Sequence, residues 1–513
     1  MKRVTKRVQR TQSRTLFDLK FVRLKTSVAT STTSNEIIDL TQEDEYDGTD
    51  TDYVTADFTS CLEREASVDP ETPVAGGSQD VKIEGKISQA QEVEVQVQVH
   101  GQAQPKSEPA VVDKTSRKKS MAWFKKLSFS DITVVVDSFN CDKEPNIDLY
   151  FLSHFHADHY GGLKKSWSHG TTIYTSVYTA NLVKWKFKVN QCKLIGLSLN
   201  EWHSVSNEVR VILLDANHCP GSVIFLFHDL RRNSFVLHTG DFRANERIIT
   251  EVNSLLQGNS LSLIYLDTTY LNPFFKFPAL PKVCEVTADF ASLLAENGLN
   301  TFLNRSDSQR SISQYLGLSQ TKPILFVVLS YSIGKEHLAI SIAKKLKTQL
   351  YVPHTKYQLV KQYISWFPEG LLTTDHKSSN VHLVAMHTDL DKYLSQLSNM
   401  FDSIVVFRPT GWTFSNQYDK SYTLWDEFER KNWVKDTLSG ETPFAIDYFT
   451  KQKRSQGKIY HFNVPYSEHS SFKDLCLFST KLKWDKIIPT VNLSQYREMA
   501  RWFEIWKSYK GSQ

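Results

Sequence analysis

Aromatic residues are distributed so unevenly along this chain that they fix where a folded core can lie. Of the 62 Phe, Trp and Tyr residues, 57 lie beyond residue 120, and so do all 11 Trp. The first 120 residues hold only Phe17, Phe21, Tyr46, Tyr53 and Phe58. A segment so poor in large apolar side chains cannot bury enough surface to offset the entropy of ordering its backbone. Residues 1–120 are therefore expected to be a disordered tail, and the rest the folded part. No apolar run approaches the roughly 18 residues of a membrane span. The longest are pieces such as Ile324 to Leu329, and no membrane partner is expected.

Charge divides at the same place. Residues 1–120 carry 17 Lys and Arg against 20 Asp and Glu, and the remainder 44 against 36. That modest excess on the folded part is compatible with a phosphate-backbone ligand without requiring one. The six cysteines are scattered with no C-x-x-C pair, so reduced thiols are expected rather than disulfides or a thiolate zinc finger. Within the tail, residues 1–30 hold nine basic residues and one acid, Asp18. This is the pattern of a nuclear-localisation patch, of an organellar presequence, or of a plain solvated basic tail. Localisation in the nucleus is expected, with the mitochondrion as the alternative. Ile37-Ile38-Asp39-Leu40, trailed by Glu43, Asp44 and Glu45, resembles a SUMO-interacting motif, which adds a strand to a partner's sheet edge. Val93 to Val99 alternates at period two but has no other strand to pair with.

From Asp131 onward the apolar segments are short and β-branched: Ile132–Val136, Leu149–Leu152, Val209–Leu214, Val223–Phe227, Phe235–Leu237 and Leu263–Leu266. Helical periodicity comes mainly later, at about 283–296, 335–346, 388–398, 471–482 and 495–508, which predicts an α/β layered fold. The segment Lys184-Trp185-Lys186-Phe187-Lys188 alternates basic and aromatic residues and reads as a strand, facing DNA or guarding a sheet edge. Chemistry gathers at the strand ends. Leu149–Leu152 runs into Ser153-His154-Phe155-His156-Ala157-Asp158-His159, which reads H-x-H-x-D-H. His154 and His156 can chelate one ion from the same side, while Asp158 and His159 turn toward a second. His218 and Asp241 stand at two later strand ends, and an aspartate there can bridge two cations.

These residues resemble motifs two to four of the metallo-β-lactamase fold, with Asp137 as motif one, an aspartate that supports the metal loop. Asp267-Thr268-Thr269-Tyr270, Ser330-Tyr331-Ser332-Ile333-Gly334-Lys335-Glu336, Arg408-Pro409-Thr410-Gly411-Trp412 and Tyr466-Ser467-Glu468-His469-Ser470-Ser471 narrow the likeness. Together they resemble the β-CASP nucleases, and within them the DNA interstrand cross-link repair branch that includes Artemis and Apollo. The resemblance implies an αββα sandwich with an inserted β-CASP α/β domain. The expected parts are a sandwich over 121–333, the insertion over 334–453 and a return to the sandwich over 454–513.

The same resemblance implies a phosphodiester hydrolase that uses one or two divalent metal ions, zinc first, with magnesium or another divalent ion as the alternative at the second site. The ligands carried over are His154, His156, Asp158, His159, His218 and Asp241. His469 matches motif B, a proton donor or further ligand, and Asp267 matches motif A, accepting an imidazole N–H. With Asp137 and Asp158 these form the expected catalytic set. Val491 stands at motif C, where RNA-processing members have a metal-binding His, so DNA is the expected substrate. Ser330, Ser332 and Lys335, with free backbone N–H groups beside them, are expected to form a 5′-phosphate pocket. Thr410, Gly411 and Trp412 line the DNA path or the interdomain core. The expected activity is a 5′→3′ DNA exonuclease in cross-link repair, working as a monomer. An Artemis-type endonuclease and a non-catalytic repair scaffold are the competing readings. Cys61 is the one cysteine before residue 120, so the N-terminal zinc finger of larger relatives cannot form there.

Overall fold

Short runs of β-branched and aromatic residues, each closed by a turn, build three sheets in the computed structural model of the chain. The structure describes residues 121–167, 169, 171–189, 193–302, 323–411, 421–452 and 455–510. The basic and acidic tail blocks, Cys61, Ile37–Leu40, Val93–Val99 and Trp412 lie outside the described residues.

In the first sheet β1 (Lys126–Ser128), β2 (Thr133–Val136), β3 (Leu149–Phe151), β4 (Thr172–Ser176) and β5 (Lys193–Leu197) lie side by side in chain order. Only the β1–β2 pair is antiparallel. In the second, β6 (Trp202–Ser204), β7 (Val209–Asp215), β8 (Val223–Asp229) and β9 (Ser234–His238) form an antiparallel meander, and β10 (Leu261–Leu266) joins β9 in parallel. The third contains β11 (Ile324–Ser330), β12 (Leu350–Tyr351), β13 (Leu372–Thr373), β14 (Val381–Ala385), β15 (Ser403–Pro409), β16 (Ser455–Gln456) and β17 (Ile459–Val464). Their order is β13-β12-β14-β11-β15-β17-β16, parallel except for the last pair. The final strand, β18 (Trp484–Pro489), returns to pair with β10 in the second sheet.

The first two sheets pack face to face. Val134, Val136 and Phe151 meet Val211, Leu213, Phe225 and Phe227, all fully buried. The other face of the second sheet, Ile212, Leu214, Ile224 and Leu226, clusters with Val252, Leu475, Trp502 and Trp506 from helices Glu246–Leu256, Phe472–Lys481 and Tyr496–Lys510. Val135, Tyr150 and Leu152 on the outside of the first sheet cluster with Leu182 and Val183 of helix Val177–Phe187. Each such side chain contributes about 1.5–3 kcal/mol by leaving water. The result is the expected αββα sandwich. Alternate residues of the third sheet face two cores. Phe326, Val328, Leu383 and Phe407 lie in one, while Leu325, Val327, Val384 and Val406 pack with helix Leu390–Leu397 in the other. This sheet draws in β11, β16 and β17, so it spans more chain than 334–453.

One expectation is corrected here. Lys184–Lys188 is not a strand; all but Lys188 belong to helix Val177–Phe187. Ser176 caps that helix by accepting a hydrogen bond from the Thr179 N–H at 3.3 Å, and Lys188 ends it in the left-handed region. Among the described residues no helix is long and apolar enough to cross a membrane.

Candidate metal centre and substrate cleft

β2 and β3 end together, and the loops that follow are pinned to each other before any ligand is considered. Asp137 closes β2 with a positive φ of 51° and accepts the Ser153 N–H and Oγ–H, both at 2.7 Å. Gly240, also at positive φ, sits against Ser153; a Cβ there would lie 2.6 Å from the serine Cβ, so only glycine fits. These contacts hold the His154–His159 loop against the Gly240-Asp241 turn.

Each of five imidazoles then has one nitrogen tied to a neighbour and the other aimed at a common centre. Ser153 Oγ has its proton committed to Asp137, so it accepts from His154 Nδ1 at 2.9 Å. His156 Nε2 donates to the Ile333 carbonyl at 3.2 Å, and His218 Nδ1 to the Glu468 carbonyl at 2.9 Å. His159 Nδ1 is 2.8 Å from Asp137 Oδ2, and His469 Nδ1 is 2.9 Å from Asp267 Oδ2. The free nitrogens meet: His154 Nε2 lies 2.9 Å from His156 Nδ1, which lies 3.2 Å from His218 Nε2. In the neutral rings these three atoms all bear lone pairs. Three lone pairs at such distances are mutually repulsive unless a cation stands among them, so the donor set fits a divalent ion.

Asp241 is the hub. Its Oδ2 lies 3.2 Å from His159 Nε2, 3.8 Å from His154 Nε2, and 4.0 Å from both His218 Nε2 and His469 Nε2. Three ligand groups share it: His154, His156 and His218; Asp158 and His159; Asp267 and His469. Electrostatics sort the protonation states. Burial, with neighbouring imidazoles, drives His154 and His218 well below the usual histidine value, keeping them in the neutral ligating form. Burial opposes charge on His159 too, but the Asp241 and Asp137 carboxylates outweigh it and hold that ring well above the usual value. His469 is likewise raised to about 9, because Asp267 and Asp241 overcome its desolvation.

The centre opens into a cleft of about 1520 Å³. All the expected ligands except His154 line it, as do Asp137, His469, Ser332, Lys335, Thr410, Gly411 and Val491. Asp267 stays behind His469, fully paired to the Phe242 N–H and to Thr269.

The expected phosphate pocket is altered in two ways. Ser330 does not reach the cleft: it is fully buried and its hydroxyl donates to the Val384 carbonyl at 3.2 Å. Two of the turn's N–H groups are also taken. Gly334 N donates to Glu336 Oε1 and Lys335 N to Glu468 Oε1. A Cβ on Gly334 would come 2.8 Å from Glu468 Oε2, so glycine is required for that approach. Glu468 was not singled out from sequence, although it lies inside the Ser467-Glu468-His469 stretch and is buried. Its carboxyl is raised to about 7 by burial, against the pull of Lys335 and with a further push from Glu336. Lys335 Nζ is also buried, 3.5 Å from the Pro409 carbonyl and 5.0 Å from the Tyr331 ring centre.

A sheet sandwich flanked by helices, with a His/Asp cluster at its strand ends, defines a metallo-β-lactamase-fold protein. Residues 366–495 match the family described as DNA repair metallo-beta-lactamase. The chain is 37% identical over 432 residues to DNA cross-link repair protein PSO2/SNM1 of Saccharomyces cerevisiae, a match covering 74% of this chain and 65% of that protein. It is 36% identical over 401 residues to the pso2/snm1 protein of Schizosaccharomyces pombe, covering 76% and 65%. Against the 5′ exonuclease Apollo of Gallus gallus identity is 28% over 358 residues, covering 70% and 62%. Over about three quarters of its length the chain is thus similar to DNA cross-link repair proteins, on a metallo-β-lactamase fold. It spans about 65% of the length of the two yeast relatives.

Proposed function

We propose that this protein is a metal-dependent 5′→3′ DNA exonuclease of interstrand cross-link repair, preferring a 5′-phosphate. The observation that carries the reading is the Asp241 carboxylate, with histidine nitrogens from three separate loops within 4.0 Å. Two divalent ions, zinc at the first site, would supply a nucleophile from water and offset charge on the phosphoryl oxygens. In this reading His154, His156, His218 and Asp241 would hold the first ion, and Asp158, His159 and Asp241 would hold the second. Asp137 fixes the His159 ring, and Asp267 fixes His469 through its Nδ1. The other nitrogen of His469 faces the centre, where it can give a proton to the departing oxygen.

Ser332 and Lys335 remain as the cleft-lining candidates for a terminal phosphate, and Thr410 and Gly411 as candidates to line the DNA path. Val491 lines the same cleft with no ligating atom, which supports DNA over RNA. We assign the Ile37–Leu40 motif to recruitment by SUMO, and the Lys2–Arg7 patch to nuclear entry. The deciding experiment compares a 5′-phosphorylated with a 5′-hydroxyl oligonucleotide, end-labelled, with a divalent metal present. Stepwise release from the phosphorylated 5′ end is expected. Degradation from the 3′ end, or equal rates on both 5′ ends, would overturn the exonuclease assignment in favour of endonuclease action.

A further inference from the structure

We infer that Trp123 and Tyr331, two exposed rings on the cleft, are stacking platforms for the bases of a bound single strand; this rests on the nuclease reading above. Trp123 is 50% exposed and Tyr331 is 54% exposed, and both line the cleft that holds the metal cluster. Large aromatic side chains left half in water gain nothing for the fold from their outer face. The backbone under each is nevertheless fixed.

Trp123 opens a single 3-10 turn, Trp123–Lys125, which leads directly into β1. Two nearby residues anchor that turn: Met121, two positions before, is buried in the core under the first sheet, while Phe124 packs against the core between the two sheets. The indole is therefore turned outward on a rigid mount. Lys125 lines the cleft beside it, with its ammonium 5.6 Å from the Phe124 ring centre. Tyr331, just beyond β11, is mounted in a similar way. Lys356 Nζ donates to the Tyr331 carbonyl at 2.8 Å, and Lys335 Nζ stands 5.0 Å from its ring centre.

Trp123 thus stands beside a cleft-lining lysine, the combination that grips single-stranded nucleic acid through base stacking and backbone charge together, while at Tyr331 the buried Lys335 steadies the ring. At about 1520 Å³ the cleft exceeds the roughly 300–1,000 Å³ of a small-molecule pocket, leaving room for a strand on either side of the reacting phosphate. Stacking is indifferent to base identity, so the two rings would position the strand without selecting sequence.

The test is binding of the full-length protein to a non-hydrolysable, 5′-phosphorylated phosphorothioate oligonucleotide, read by fluorescence anisotropy. Trp123→Ala and Tyr331→Ala should each weaken binding roughly tenfold, and Trp123→Phe should stay within about threefold of wild type. The slope of log affinity against log salt should not change for the aromatic variants, because stacking releases no counterions; Lys125→Ala should reduce it by about one. An abasic nucleotide stepped along the strand should cost the wild type affinity at a particular position to which Trp123→Ala is blind. The abasic scan on wild type and the phenylalanine variant keep the test open should an alanine variant fold poorly. Unchanged affinity in Trp123→Ala, or a loss spread evenly over all abasic positions, would overturn the inference while leaving the nuclease reading intact. Failure of the wild type to bind any DNA would sink both.

Discussion

At Asp241 a single carboxylate faces nitrogens of His154, His159, His218 and His469, and burial alone would push it toward protonation. The surrounding imidazoles, His159 and His469 foremost, hold it instead well below the usual carboxylate value, so it stays charged and available to cations. Asp241→Ala or Asp158→Ala should abolish metal-dependent hydrolysis with the fold retained, checked by single-turnover assays beside circular dichroism. Full activity in purified Asp158→Ala protein would remove the metal mechanism. Asp267→Asn keeps the side-chain volume but weakens the acceptor for His469 Nδ1, so a 10–100-fold loss of activity or metal affinity is expected. His469→Ala should lower kcat more than DNA affinity, the pattern of a group acting mainly in the transition state.

Between elements, two buried polar contacts make separate predictions. Arg430 of helix Glu427–Ser439 pairs with Glu498 of the C-terminal helix at 2.6 Å, donates to the Tyr422 carbonyl at 2.8 Å, and lies 4.6 Å from the Trp502 ring centre. Arg430→Ala should destabilise the protein by about 1.5–3 kcal/mol, because Glu498 keeps only the exposed Arg501, at 3.5 Å, and the Tyr422 carbonyl loses its donor. Urea titration reads that loss directly, and lysine should not restore it, lacking the planar fork. His382 of β14 is fully buried, receives the Tyr393 hydroxyl at Nδ1 and gives Nε2–H to the Ser379 carbonyl, an arrangement that suits the neutral ring. Burial lowers its pKa to about 4. Between pH 6.5 and 4 the unfolded chain therefore binds the proton first. Stability is present above 6.5 and declines on acidification, by on the order of 3 kcal/mol once pH 4 is passed. Unfolding midpoints across this range should fall less steeply in His382→Gln; equal slopes would show that His382 does not titrate this way.

For the whole molecule, every ligand of the described site lies within residues 154–469. Deleting residues 1–110 should leave hydrolysis of naked DNA near the wild-type rate, while cellular repair or localisation suffers. A truncated protein that folds yet has lost catalysis in vitro would refute that division of labour. What could be read in advance follows from distance along the chain. The strand runs and the H-x-H-x-D-H cluster are local patterns, legible because alternation, β-branching and ligand spacing act within a few residues. An α/β layered fold followed from them, while the αββα order was what the family resemblance implied. Lys184–Lys188 misled because period-two alternation over five residues cannot outweigh a helix already started at the Ser176 cap and packed against the first sheet. The N–H groups of Gly334 and Lys335 read as open to phosphate because nothing nearby announced that Glu468, 133 positions away from Lys335, would take one of them. By itself the sequence determined a layered α/β core and the ligand types, since burial and chelation chemistry belong to residue type and spacing. Only the tertiary structure decided which imidazole nitrogen faces the centre, which backbone donors remain open and which rings stand in the cleft, because those depend on partners the chain brings together over long loops.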